Sequence, residues 1–268
     1  NNLNQFIIAE GITKDLNPSY GSIQKLYARD SDLIALCEDK VLKILANKDA
    51  LYNADSNMNL TASNKVLGQS IPFSGDYGIS KNPESFAAEA FRVYFTDKQR
   101  GKVLRLSQDG LTPISDHGME VWFNENLKLG NKIIGSFDTN KEDYNLTIKG
   151  DTIAKTISFN ERVRGWVSFK SFYPEYGISV AGDYYTILEG KIWKHNDNEL
   201  RNTFYGEENF TPTSLKVIIG DSPGSVKSFS TINYEGSQSK VNAMVDYNTI
   251  YGADLASPII TGTFLESN

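Results

Sequence analysis

Cysteine is almost absent from this chain. Cys37 is the single one, so no internal disulfide can form and a disulfide-stapled secreted scaffold is excluded. Within LIALCEDK it reads as a small buried or half-buried strand residue rather than a nucleophile. Histidine is scarce too. His117 and His195 lie far apart, and neither belongs to a Cys/His or HExxH pattern, so no metal site is legible. Positive charge is in deficit: 27 Lys and Arg stand against 33 Asp and Glu, a formal net charge of −6. Wrapping the outside of a nucleic acid needs clustered Lys and Arg, so that role is disfavoured. A passage through which DNA slides without sticking remains compatible with the charge. No window offers the roughly 20 apolar residues of a membrane helix, and no basic–apolar–small signal segment opens the chain. A P-loop, a dinucleotide fingerprint and a GxSxG elbow are all missing. No stretch reads as a long amphipathic helix.

What the chain has is aromatic and turn residues: 14 Tyr, 14 Phe and 21 Gly in 268 residues. They are organised around Pro83–Ser115, which breaks into SFAAEA, RVYFTD, KVLRLS and LTPIS. Lys98-Gln99-Arg100-Gly101 separates the second piece from the third, and Asp109-Gly110 the third from the fourth. Both are polar links with Gly where a tight turn needs positive φ. Val93, Tyr94, Phe95, Val103, Leu104 and Leu106 suit a pleated surface. Four short antiparallel strands in succession are predicted, the unit of β-propellers. Asn82-Pro83-Glu84 before FAAEAF also carries a helix-start signal, but the run is short and feeds into β-rich sequence, so a strand is favoured there.

The same pattern recurs. LIAL, VLKIL and ALY form a second meander, with DKVLKILANKDAL (Asp39–Leu51) echoing GKVLRLSQDGL (Gly101–Leu111) and GKIWKHN (Gly190–Asn196). Further strands are predicted in KIIGSFD, YNLTI, TIAKTISFN and GWVSFKSF, then in YGISV, DYYTIL and KIWKH, then in LKVIIGD, VKSFSTINYEG and KVNAMVDY. The alternation in TISFNERVRGWVSFKSF reads as a half-buried hairpin. Clusters centred near Ala35, Tyr94, Tyr144 and Tyr185 are about 40 to 60 residues apart, close to blade spacing. Residues 53–82, rich in Asn, Ser and Gly, read as a long inter-blade loop. The fold class is all-β: a β-propeller-like array of four-stranded antiparallel blades over residues 1–268, incomplete within this stretch.

The candidates for chemistry each have a plainer reading. Asp138-Thr139-Asn140-Lys141-Glu142 offers alternate oxygen donors, but Gly is missing from the sixth position and Lys149 occupies the place of the bidentate Glu. That loop and Asn53–Asn57 are expected to be Asx turns rather than calcium sites. Asp116-His117 reads as a polar turn, and Glu207-Glu208 as a solvated pair. Trp122, Trp166 and Trp193, with Tyr184 and Tyr185, sit in strand patterns and are expected to pack between strands rather than to bind sugars. The Asn-x-Thr triplets at Asn59, Asn145 and Asn209 are taken as incidental without a secretory signal. Lys98, Arg100, Lys102 and Arg105, and likewise Arg162 and Arg164, are expected at solvated hairpin tips. No catalytic, cofactor-binding or metal residue is assigned, and no enzyme is predicted.

Several longer words add to this reading: GDYGISKNPESF (Gly75–Phe86), YFTDKQRGKVLRLSQDGLTPIS (Tyr94–Ser115), ISFNERVRGWVSFKSFYPEYGIS (Ile157–Ser179), GKIWKHN with RNTFYG (Gly190–Gly206) and KSFSTINYEGSQ (Lys227–Gln238). In these the chain resembles the tail-nozzle or "muzzle" structural proteins of crAss-like and related short-tailed bacteriophages. The resemblance implies a virion protein of the phage tail, with no catalysis and no cofactor. It implies a part built as a ring around the DNA-exit channel, against other copies of itself and neighbouring tail proteins. Family members are longer, so the chain, which opens Asn1-Asn2-Leu3, is expected to be a piece of a larger protein. Gly101, Gly110 and Gly165 are expected to set turns, and Trp166 and Phe169 to pack between strands. The alternative is a receptor- or glycan-binding propeller module of a phage tail or bacterial surface, with Trp122 or Trp193 on its binding face.

Overall fold

The structure, a computed structural model, describes residues 13–29, 32–52, 58–200, 202–206, 214, 224, 226, 241–246 and 260–264. The chain divides into two compact units, Asn1–Ser214 and Leu215–Asn268. In the second, β16 (Val241–Asp246) pairs antiparallel with β17 (Ile260–Phe264). β16 falls within the expected strand KVNAMVDY; LKVIIGD and VKSFSTINYEG lie outside the described residues.

The first unit is all-β, built from successive antiparallel meanders that do not close into a barrel among the described residues. The first sheet runs β1 (Ile23–Arg29), β2 (Asp32–Cys37), β3 (Val41–Tyr52) and β4 (Met58–Pro72), in that order. Here the expected loop 53–82 must be corrected, because β4 pairs with β3 from Tyr52↔Met58 to Leu42↔Pro72. A ladder is made by backbone groups, which need no apolar alternation to pair. Irregular chain begins only after Pro72, from Phe73 to Asn82.

The second sheet is β5 (Ala87–Glu89), β6 (Arg92–Asp97), β7 (Lys102–Ser107) and β8 (Gly110–Pro113). Both signals before β5 are realised in turn: Pro83–Ser85 make one 3₁₀ turn and the strand follows. Gly101 (φ 66°) and Gly110 (φ 97°) hold the left-handed turn positions. A Cβ on Gly101 would lie 2.6 Å from the Cα of Asn124, so close packing also demands glycine there.

A 3₁₀ turn, Ile114–Asp116, leads into helix α1, Glu120–Leu129. This corrects the strand reading of Trp122. The VWF triplet looks β-like, but Phe123 and Leu127 are buried one turn apart and Met119, one turn earlier, packs on the same core. A ten-residue helix is marginal in water, so this face holds it in place.

The third sheet is β9 (Lys132–Asp138), β10 (Asp143–Lys149), β11 (Ala154–Asn160) and β12 (Gly165–Lys170). The fourth has three strands, β13 (Tyr176–Val180), β14 (Asp183–Leu188) and β15 (Lys191–Lys194). All seven were expected as strands.

The second sheet is apolar on both faces, which is why its strands read as nearly continuous hydrophobic runs. Val93, Phe95, Leu104 and Leu106 meet Ile34, Leu36 and Val41 of the first sheet. Tyr94 and Val103 turn the other way, onto Phe123, Ile133, Phe137, Tyr144 and Leu146. The outer face of the first sheet (Ala35, Cys37, Leu42, Ile44) lies beneath Leu16 and Tyr20. Each such aliphatic or aromatic side chain contributes about 1.5–3 kcal/mol by leaving water.

The third sheet differs from the half-buried hairpin expected of it. Ile157 and Phe159 face the core as the alternation predicts, but the polar positions between them are buried as well. Asn145, Thr147, Thr156 and Ser158 are each 2% exposed or less. They satisfy one another across the strands: the Ser158 hydroxyl donates to Asn145 Oδ1 at 2.5 Å, and the Thr147 and Thr156 hydroxyls lie 2.8 Å apart.

Candidate functional site

The first strands of the four meanders, β1, β5, β9 and β13, are all edge strands. Together with the turn before β5 they line a cleft of about 510 Å³. Lys25, Phe86, Phe137, Tyr176 and Ser179 contribute side chains to its wall. The strands approach closely because glycine permits it. A Cβ on Gly135 would stand 1.9 Å from the carbonyl oxygen of Ser85, and one on Gly177 2.8 Å from the Tyr184 hydroxyl. The Ser179 hydroxyl donates to the carbonyl of Phe137 at 2.7 Å and accepts from the N–H of Thr139 at 3.1 Å, tying β13 to the edge of β9. The Lys25 ammonium sits 5.2 Å from the Phe86 ring centre. This lining is suited to close chain packing. It holds no nucleophile–base pair.

A tyrosine occupies the second strand of three consecutive sheets, and all three are buried: Tyr94, Tyr144 and Tyr184. Each hydroxyl reaches a neighbouring sheet. Tyr94 donates to Glu161 Oε1 at 2.7 Å, Tyr144 donates to the Ser85 carbonyl at 2.9 Å, and Tyr184 bonds the Ser136 hydroxyl at 2.7 Å. Tyr94 and Tyr144 also stack, with ring centres 4.8 Å apart. Burial raises all three phenols above their ordinary pKa, and for Tyr94 the Glu161 carboxylate adds to it.

Charge is concentrated at the same junctions. Asp97 is fully buried and accepts from the N–H of Gly78 (3.2 Å), the Ser80 hydroxyl (2.9 Å), and both the backbone N–H (3.1 Å) and guanidinium (2.9 Å) of Arg100. Arg100 also reaches Asp39, in the β2–β3 turn, at 3.2 Å. Glu161, in the β11–β12 turn, takes Arg105 at 2.8 Å and has Arg92 at 3.8 Å. The expectation of solvated basic tips is therefore corrected for the Lys98–Arg105 group. Lys98 bonds the Gly130 carbonyl at 2.7 Å, and Lys102 pairs with Asp116 (2.8 Å) and Glu120 (2.6 Å). A turn rich in cations reads as solvent-facing when the acids that meet it lie more distant in sequence. Arg162, paired with Glu142 on the surface, and exposed Arg164 fit the original expectation.

The remaining residues fall as follows. Trp166 packs on Phe123 (4.5 Å) and Phe159 (5.3 Å), and its indole N–H donates to the Ile114 carbonyl at 3.0 Å, so it locks α1 to the third sheet. Phe169 is 52% exposed and meets Trp122 edge-on at 5.3 Å, forming a surface shelf rather than filling a core. Gly165 does not set its turn: Arg164 carries the positive φ (54°), and a Cβ on Gly165 would meet only the Val163 carbonyl oxygen, at 4.0 Å. Trp193, on β15, packs against Tyr205 at 5.5 Å. Cys37 is fully buried, and burial raises its thiol pKa, the opposite of an activated nucleophile. Asp138 Oδ1 accepts from the N–H of Asn140 (3.0 Å) and of Lys141 (3.3 Å), the Asx turn expected. Asp116-His117 is a 3₁₀ turn, with Asp116 paired to Lys102 and His117 edge-on to Phe159. Asn53–Asn57 and Glu207-Glu208 lie outside the described residues. Among the described residues, no three His, Cys, Asp or Glu side chains converge as a metal site. Sequence reasoning missed Glu161 and Asp97, whose partners come from other turns and sheets. The recurring tyrosine was the one signal available in advance.

Compared with known proteins, residues 6–190 match the family model described as Crassvirus muzzle protein. No curated protein matches the chain.

Proposed function

The chain belongs to the Crassvirus muzzle protein family, a component of the virion tail, and from that premise we propose that it is a non-catalytic wall element of the tail nozzle. In this reading its meanders are consecutive blades of an open propeller. Copies of the chain and neighbouring tail proteins form a ring around the DNA-exit channel. The observation that carries the reading is how the polar side chains are used. Asp97, Glu161, Arg100, Arg105 and the three buried tyrosines are all engaged in holding one sheet or turn to another. Such a part needs stiffness and no active site. A net charge of −6 also suits a wall past which DNA must move, since like charge discourages adhesion.

Immunogold labelling of intact particles with antibody against this chain tests the reading. Gold confined to the tail tip is the expected result. An unlabelled tip, with antibody shown to bind the isolated chain, overturns it.

One observation favours a second reading, docking to a host receptor or glycan. Phe169 and Trp122 form an aromatic shelf at the surface, the kind of platform sugars stack on. Retention on host polysaccharide, abolished by Trp122→Ala, would support that reading over a purely structural role.

A further inference from the structure

Two strands of the first sheet are far longer than the rest. β3 has 12 residues and β4 has 15, whereas the other strands of the first unit have between three and seven. β2 follows β3 only as far as Asp32↔Leu45. Past that point Ala46–Tyr52 is bonded to β4 alone among the described residues. At about 3.3 Å per residue, this two-stranded ribbon runs on for roughly 20 Å beyond the four-stranded sheet. Its base is bent. The register slips between Ile44 and Ala46 and again between Ala46 and Lys48, so that Ala46 faces Leu67 while Lys48 faces Ala62. Extra residues on one strand of a ladder turn it and strengthen its twist. A two-stranded ribbon alone in water is marginally stable at best, so this arm calls for a partner. Its outer edge is Met58–Ala62, since β4 ends its sheet, and Leu60 there is 51% exposed.

A matching edge stands on the third sheet. The last strands of the second and fourth sheets are defended against pairing: β8 ends at Pro113, and β15 is bounded by Lys191 and Lys194. β12 is built otherwise. It has six residues and no proline, and within its sheet it is bonded to β11 alone. Its one irregularity is the slip opposite Ser158 and Phe159. Its terminal Lys170 is drawn to Asp143, at 3.8 Å. Val167 is 42% exposed and Phe169 52%. An apolar edge of this length is a template for a strand from another chain.

We propose that the β3–β4 arm is a clasp between copies of this chain, its Met58–Ala62 edge adding to β12 of a second copy. The inference rests on the ring reading above and gives that ring its contact. Main-chain hydrogen bonds hold the clasp, and Leu60 meets the apolar side chains that β12 exposes. Arm and acceptor belong to different sheets, and within one chain the second sheet stands between them. Each copy therefore gives one arm and receives another. Such a head-to-tail contact is the kind that generates a ring when its rotation closes. Both open edges are covered by the same event, and the third sheet of each copy gains two strands.

Cross-linking between copies of the whole chain tests this. Leu60→Cys and Phe169→Cys proteins should join through a short bis-maleimide when mixed and not when either is treated alone. Cys37 is fully buried and stays out of the reagent's reach. On assembly, amide protection over Met58–Ala62 and Gly165–Lys170 should rise about tenfold or more while β6 and β7 keep theirs. Leu60→Lys and Val167→Lys, both at exposed positions, should each weaken association about tenfold or more without lowering the urea midpoint. Joining of Leu60→Cys copies only to one another overturns the proposal. So does assembly with unchanged exchange on the arm and β12, or a chain that stays monomeric and gives no mixed product. Antibody labelling of the tail tip decides the nozzle reading separately, so the clasp can fail while that reading stands.

Discussion

Gly135 has no side chain because the Ser85 carbonyl oxygen leaves no room for one, its ideal Cβ falling 1.9 Å away. Backbone blocks the space, so no rotamer change relieves the clash. Gly135→Ala should cost about 3 kcal/mol or more in urea unfolding. Gly182→Ala is the comparison: it opens onto free space but adopts φ 89°, and should cost only about 1 kcal/mol. Glu161 acts by charge rather than by shape. Its side chain is 14% exposed and serves Tyr94, Arg105 and Arg92 together. Glu161→Gln keeps the volume and removes the charge. It should cost about 2 kcal/mol, read as a fall in urea midpoint at unchanged slope, because the Arg105 guanidinium stays half-buried beside a neutral amide. A slope that changed as well would mean the substitution altered the compactness of a state instead.

Helix α1 shows what an element owes to its surroundings. It has no N-cap side-chain bond, and only Phe123 and Leu127 are buried on it. Phe123→Ala should cost about 3 kcal/mol and reduce the helical circular-dichroism signal, since the helix is too short to persist undocked. The strands were legible wherever a meander had turn chemistry and pleat-suited residues, as in RVYFTD and KVLRLS. They were illegible in β4, whose Asn- and Ser-rich sequence lacks a clear apolar alternation. The polar face of the third sheet was legible as alternation but not as burial, because what covers that face arrives later in the sequence. At the junctions, Glu161 and Tyr94 are 67 residues apart and Ser136 and Tyr184 are 48 apart. No local pattern announces such pairs. The resemblance in ordered words carried the family where spacing could not.

At the scale of the whole unit, the three buried tyrosines form a series of cross-ties, each ending on a different group. Tyr94→Phe, Tyr144→Phe and Tyr184→Phe should each cost about 1 kcal/mol and, sharing no acceptor, should add to within about 0.5 kcal/mol in the triple variant. Removing rings rather than hydroxyls should behave otherwise. Tyr94→Leu and Tyr144→Leu together should depart from additivity by about 0.5 kcal/mol or more, because those rings stack at 4.8 Å.

The strictly sequential strand order also bears on how the chain is made. Among the described residues, every ladder in the first unit joins neighbours in sequence, β1 to β2, β2 to β3 and so on. Contacts of short sequence separation form early and fast. Each sheet is therefore complete as soon as its own last strand leaves the ribosome, and can serve as the template on which the next one settles. Translation order becomes assembly order, and no sheet has to wait for a strand made after the next sheet has begun.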